Sequence, residues 1–340
     1  MAQFKTERTA QSDSARRGPR ALDRLVVFGH PEKPGIEAAL NQLIGWARTK
    51  GFGLAVTRDL DRVLNTGGAN GPRSHEVFGN EPGDLPRPND DERVMLVCLG
   101  GDGTLIYAVR HYWPLHMPIL PVNMGQLGFN ASIEPERICS AIQQWLEGRA
   151  RLSERMALRV SWMRQGELLR RSLAVNEVVL SKQSEARLIH LMLRQGPEII
   201  SAFAADGLIV ATPTGSTAYN LSAGGPLVHP DMRVLIATGI CPHTLAARPV
   251  VLLPDPPLTM EFEPRHVRDQ AMLWIDGQES WPIVRGDQVM IESERRCFGL
   301  VTEEEHRYFS RLRRKLHWSG DVLPLIENTE KTNELNGNES

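Results

Sequence analysis

The chain has 340 residues, 41% of them hydrophobic and 24% charged, and a formal net charge of −2. That length suits two domains with a sizeable core, and the near-neutral charge gives no global basic field for nucleic acid or an anionic membrane. No apolar run approaches the roughly 20 residues of a membrane-spanning helix, and the scattered cysteines (Cys98, Cys139, Cys241, Cys297) suggest neither a disulfide framework nor a zinc site, so a reducing cytoplasm is the expected compartment.

Residues 1–22 are polar and lack the apolar core of a secretory signal, so they read as a disordered tail. Arg24 to Phe28 reads as the first strand, and Ile36, Ala39, Leu40, Leu43, Ile44 and Ala47 repeat at helical spacing after it. Phe52 to Thr57 reads as a second strand. Residues 65–92 are dominated by Gly, Pro, Asn and Asp and read as a long loop. Val94 to Leu99 is an apolar run of the kind that forms a fully buried strand. It enters Gly100-Gly101-Asp102-Gly103-Thr104, and a helix follows from Leu105 to His111. Pro118 to Val122 is a further strand leading into Asn123-Met124-Gly125-Gln126-Leu127-Gly128-Phe129. Strands alternating with helices indicate a mostly parallel sheet covered on both faces.

The pattern changes near residue 133. Glu134 to Gly148 reads as a helix, and then come β-like runs: Arg155 to Trp162, Glu167 to Leu180, Leu188 to Arg194, Gly207 to Thr212, Pro249 to Leu253, Leu258 to Phe262, Ala271 to Asp276 and Gln288 to Ser293. Tyr308 to Trp318 reads as a basic helix whose charges form a solvated face. The fold class expected is α/β plus all-β. An N-terminal Rossmann-like three-layer α/β domain spans 23–132 and a β-rich domain spans 133–302. A final helix over 303–320 returns to the first domain, and residues 321–340 form a disordered tail.

Three segments carry chemistry. At the 100–104 turn, glycines let the backbone approach an anion and the helix N-terminus supplies free N–H donors. A carboxylate there makes sense if it handles a proton or a metal ion; the plain alternative is a tight turn capped by Asp102. In Asp206 to Pro226, a strand runs into Thr212, Thr214, Ser216 and Thr217, whose hydroxyls suit a ribose or a phosphate. The alternative is a hydroxyl-rich loop with an ordinary cap. Asn176-Glu177 puts two polar side chains in an apolar run, which fits a strand end, a bulge or an exposed edge. Asp276-Gly277-Gln278 reads first as a hairpin turn.

Taken in order, these segments resemble the NAD kinases, which phosphorylate the adenosine-ribose 2′-hydroxyl of NAD to give NADP. The resemblance covers most of residues 24–318 and extends to Ile240 to Leu245 and Arg248-Pro249. It implies a phosphotransferase with Asp102 as the catalytic proton acceptor and Gly103 beside it. Asn176 and Glu177 would contact the riboses and base of NAD. Asp206 and Thr217, Ala218, Tyr219, Asn220, Leu221 and Ser222 would line the dinucleotide site, with Gln278 at its edge and Arg187 as a basic contact. It also implies ATP or polyphosphate as donor, Mg²⁺ with that donor, and a homodimer or homotetramer with the dinucleotide near a subunit interface. Ala204 stands where many members carry Arg, which implies activity on NADH as well; Gln126 and Asn130 depart from the commoner His and Leu. A lipid-type or sugar kinase shares only the glycine turn, and a non-catalytic nucleotide-binding regulator would have no need of Asp102.

Overall fold

The structure, a computed structural model, describes residues 21–65, 75–80, 84, 92–112, 117–126, 128–183, 188–244, 246–265, 269–294, 298–302 and 307–317. Its first layer system is built from β1 (Arg24–Gly29), α1 (Ile36–Lys50), β2 (Gly53–Thr57), α2 (Arg58–Asn65), β3 (Glu76–Phe78), β4 (Val94–Gly100), α3 (Asp102–Tyr112), β5 (Pro118–Asn123), α4 (Ile138–Leu146) and β6 (Arg151–Arg155). The helical repeat seen in α1 buries Ile36, Ala39, Leu40, Leu43 and Ala47. The helix stops at Gly51, whose left-handed backbone (φ 76°) lets its N–H close on Ala47 and Arg48. The sheet β3-β2-β1-β4-β5 is parallel throughout. One face packs against α1 and α4 through Leu40, Leu43 and Ile142. The other packs against α3 through Leu105, Ala108 and Val109. Every residue of β4 is buried, as its uninterrupted apolar run requires.

The β-rich half continues with β7 (Leu158–Arg164), β8 (Glu167–Ala174), β9 (Glu177–Lys182), β10 (Ile189–Gln195), β11 (Glu198–Ala205), β12 (Gly207–Ala211), α5 (Tyr219–Ser222), β13 (Leu235–Ile240), β14 (Val250–Leu252), β15 (Leu258–Phe262), β16 (Ala271–Ile275), β17 (Glu279–Ile283) and β18 (Asp287–Ser293). Two antiparallel six-stranded sheets, β11-β10-β15-β18-β7-β8 and β14-β13-β12-β9-β16-β17, share one core. Trp162 and Val289 come from the first sheet, Leu180, Leu208 and Trp281 from the second. Alternating burial along β15, β16 and β18 is the period-two signature of such a sandwich.

The chain then returns. β19 (Phe298–Thr302) enters the first sheet parallel to β5 and antiparallel to β6, so that sheet has seven strands in the order β3-β2-β1-β4-β5-β19-β6. It therefore draws two strands from outside residues 23–132. A separate helix, α6 (Arg307–Leu316), carries the basic residues expected of it.

Several sequence expectations need adjustment. The run Glu167 to Leu180 is two strands in two sheets, broken at Val175-Asn176. The run from Arg155 divides at Met156-Ala157 between β6 and β7. The helix expected from Leu105 starts at Asp102. β3 occupies a described part of the segment read as loop, and the rest of 65–92 lies mostly outside the described residues; α2, over residues that the pattern reading left unassigned, ends where that segment begins. β11, β13, β17 and β19 escape the pattern reading. β11 is an edge strand without strict alternation, and β17 carries Pro282, which only an edge strand tolerates.

Candidate active site

Asp102 is fixed from both sides. It opens α3 directly after the buried β4, so the chain reaches it on a rigid support. Its Oδ1 accepts the backbone N–H groups of Asn130 (3.0 Å) and Ala131 (2.8 Å), and its Oδ2 accepts that of Phe129 (2.8 Å). A Cβ at position 128 would collide with this carboxylate, so Gly128 is glycine because Asp102 is there. A Cβ at position 100 would collide with Thr104, while Gly103 faces open space. A carboxylate has about four acceptor sites. Three are filled by the loop, and among the described residues the fourth, on Oδ2, has no donor.

A second cluster forms where β8 passes to β9. The turn between β16 and β17 has positive φ at Asp276 (50°) and Gly277 (64°), the conformation of a tight type I′ hairpin. The Asp276 carboxylate accepts the N–H groups of Val175 (2.8 Å), Asn176 (2.7 Å) and Glu177 (3.0 Å). That grip holds the strand break open and fixes Asn176 and Glu177. Two residues on, the Gln278 amide donates to the Gly103 carbonyl (3.1 Å). One turn thus ties the β-rich cluster to the Asp102 turn.

The segment after β12 closes over the same cluster. Thr212 donates its hydroxyl to the Val175 carbonyl (2.7 Å) and its N–H to that of Asn176 (2.8 Å). Gly215 packs so tightly on the Asn176 backbone that no side chain fits. Ser216 bonds both backbone groups of Val228 (3.1 Å each). Asn176 and Glu177 are buried, and Asn176 Oδ1, Glu177 Oε2 and Thr214 Oγ1 have no hydrogen-bond partner among the described residues. Burial, with the Asp276 charge added, pushes the Glu177 carboxyl up to about 8, against a backbone N–H from Tyr219. Burial raises Asp276 as well, opposed by its three N–H donors and by Arg110.

On the other side of Gly103 lies a cavity of about 760 Å³ at the carboxyl ends of β1 and β2, where open parallel sheets bind ligands. One wall is aromatic: the Phe28 and Tyr107 rings stack at 5.5 Å, and Tyr107 stacks on His111 at 3.9 Å. Thr57, Asp59, Asn80, Thr104 and Gln278 supply polar groups. Arg110, nearly buried, pairs with Glu279 and bonds Ser172 (3.0 Å). Burial opposes a charge on Glu279, but bonds from Ser172 and Trp281 and the Arg110 cation hold its carboxyl below the ordinary range.

Residues 25–150 match the family described as "ATP-NAD kinase N-terminal domain" and residues 175–302 match "ATP-NAD kinase C-terminal domain". The NAD kinase of Geotalea daltonii is 35% identical over 297 residues, 87% of this chain and 99% of that protein. The NAD kinase of Geobacter sulfurreducens is 36% identical over the same share of both chains. This chain belongs to the NAD kinase family. Among solved structures, yeast NADH kinase complexed with NADH superimposes with a TM-score of 0.76 at 22% identity, over 89% of each chain. An NAD kinase from Archaeoglobus fulgidus in complex with ATP gives 0.61 at 22% identity, over 86% of this chain and 98% of that one. The α/β sheet and the antiparallel β half are the architecture of these NAD kinases.

Against that family background the implied site residues divide. Asp102, Gly103 and Gln278 meet at one turn, and Asn176, Glu177 and Tyr219 meet across the strand break. Thr217, Ala218, Leu221 and Ser222 follow on the partly exposed turn and the short α5. Asn220 is fully buried and committed internally: its amide donates to Ser216 and Pro226, and Thr238 donates to its Oδ1 (2.7 Å). Asp206 lies elsewhere. It precedes β12 while Thr212 follows it, a span of five residues at roughly 3.3 Å each, and it pairs with Lys182 at 2.6 Å. Arg187 lies outside the described residues. Sequence reasoning missed the aromatic wall and the grip of Asp276. Tyr107 and His111 stand one helical turn apart behind Asp102, a spacing that the sequence offers. The Asp276 contact spans about a hundred residues and leaves no local signal.

Proposed function

We propose that this chain transfers the terminal phosphate of ATP to the 2′-hydroxyl of the adenosine ribose of NAD, with Asp102 as general base. The observation that carries this reading is the acceptor site on Asp102 Oδ2 that no described residue fills, beside the open face of Gly103. The acceptor sits against Asn176, Glu177 and the 217–222 turn, and the donor occupies the cavity behind Gly103. The hydroxyl enters between them. Phosphoryl transfer runs through a loose transition state, so positioning dominates. Asp102 orients the hydroxyl and takes its proton late. The aromatic wall of Phe28, Tyr107 and His111 favours a nucleoside triphosphate over polyphosphate, because a polyphosphate has no ring to stack.

Mg²⁺ fits the lining. Among the described residues no group of three acidic, His or Cys side chains forms a metal cage, and Mg²⁺ commonly takes one or two carboxylates and arrives with phosphates. Asp59 and Glu279 are the lining carboxylates; Glu279 is held by Arg110, so Asp59, which also pairs with Arg62 at 2.9 Å, is the one that would face the ion, and the ion would supply charge neutralisation at the donor phosphates. NADP formation from NAD and ATP, followed by a coupled assay, tests the reading; no product at saturating substrates ends it. Ala204, opposite His190 and two residues before Asp206, leaves no cation in that position, so NADH is a second acceptor in this reading. Steady-state kinetics with both dinucleotides test that, and a preference for NAD above about a hundredfold (~2.7 kcal/mol) rejects it.

A further inference from the structure

Resting on the dinucleotide site proposed above, we infer that Glu177 is a neutral acid and hydrogen-bond donor, presenting a proton from Oε2 to an acceptor atom of the bound dinucleotide. Two carboxylates meet at the strand break, and their surroundings are unequal. Asp276 receives three backbone N–H bonds and feels Arg110 across the turn. Glu177 feels one N–H, from Tyr219, and among the described residues no cation acts on it. The residue is more than nine-tenths buried, and Oε2 has no partner among the described residues. Two nearby acids whose environments differ this way divide the charge between them: the anion resides on Asp276 and the proton on Glu177. The groups facing Glu177 are then Asp276 from the hairpin, the Tyr219 N–H from α5 and, behind Asp276, Arg110 from α3, itself paired with Glu279.

On the residue before Glu177, Asn176 Oδ1 is a buried acceptor without a partner among the described residues. With the Thr214 hydroxyl, also buried and without a partner among the described residues, the seam offers donors and an acceptor side by side, a mix that suits a nucleobase or sugar edge better than a phosphate. The proton's position agrees with burial raising the Glu177 carboxyl to about 8. Above that pH the donor becomes an anion, and affinity falls with the remaining protonated fraction.

The experiment is calorimetric titration of NAD, without donor, into the wild-type chain and Glu177→Gln at pH 6.5 and pH 9. Gln keeps an N–H donor in nearly the same shape and cannot ionise. At pH 9 about a tenth of Glu177 stays protonated, so wild-type affinity drops by about tenfold while the Gln variant changes little. At pH 6.5 the two agree within about threefold. A Gln variant that loses binding at pH 6.5, or a wild-type affinity that stays flat to pH 9, overturns the inference. The melting temperatures of both unliganded proteins across the same range decide the proton's position without NAD. Wild type falls relative to Gln as pH rises through 8; a pH-independent difference also overturns the inference. Absence of NAD binding by the wild type at either pH counts against the proposed function instead, and the melting comparison still locates the proton.

Discussion

At Asp102 the carboxylate has both a structural and a chemical task. Three backbone N–H groups hold it, and one acceptor site serves the substrate. Asp102→Asn replaces one oxygen with an NH₂ that faces at least one of those N–H donors. The variant is expected to lose about 1–3 kcal/mol of stability, seen as a lower denaturant midpoint. Turnover is expected to fall roughly 10²–10⁴-fold with NAD affinity little changed. Near-normal NADP production would remove Asp102 as the base; an unchanged midpoint would mean that the 129–131 loop does not close on it. The motif was plain in the sequence because glycine spacing is local. The Asp102 hydrogen bonds were not, because Phe129 to Ala131 lie 27 to 29 residues away.

Two elements carry the rest of the site. Helix α3 presents Tyr107 and His111 one turn apart, and β1 adds Phe28. A nucleobase stacked on this wall gains about 0.5–1.5 kcal/mol. Tyr107→Leu is therefore expected to raise the KM for ATP by roughly 2- to 12-fold, with the KM for NAD held within twofold. A rise in the NAD value alone would assign the cavity to the acceptor. The β16–β17 hairpin works differently, because Asp276 fastens residues 175–177. Asp276→Ala leaves three N–H groups without their acceptor, at about 1–3 kcal/mol for each that stays dry. A fall in melting temperature together with weaker NAD binding is the expected result; an unchanged protein would show that the strand break holds itself open. A hairpin at 276–278 is readable from Asp-Gly between apolar runs. Its grip on a distant strand end is not, since a carboxylate accepting backbone N–H groups places no demand on the sequence of its partners.

Across the whole molecule, the sequence shows a parallel half followed by an antiparallel half, because strand–helix alternation and close-set short strands differ in period. It does not show the return of the chain. Phe298–Thr302 is a short apolar segment like many others, and only the open edge of β5 explains where it goes. β19 inserts between β5 and β6, pairing Leu300 with Ile119 on one side and with Ser153 on the other. It adds Phe298 and Leu300 to the core on the α3 face and Val301 to the core on the α1 face. The first sheet is thus closed by residues that follow the entire β-rich half, and the Asp102 turn stands on a sheet that cannot be completed from its own end of the chain. A fragment of residues 21–156 keeps β1 to β6 but lacks β19. It leaves β5 an open apolar edge and β6 without its partner, the arrangement that promotes edge-to-edge association. Expressed alone, that fragment is expected to aggregate or to unfold without a cooperative urea transition by circular dichroism, whereas residues 21–317 unfold cooperatively. A soluble 21–156 fragment with a sharp transition would show that the first sheet folds without its last strand.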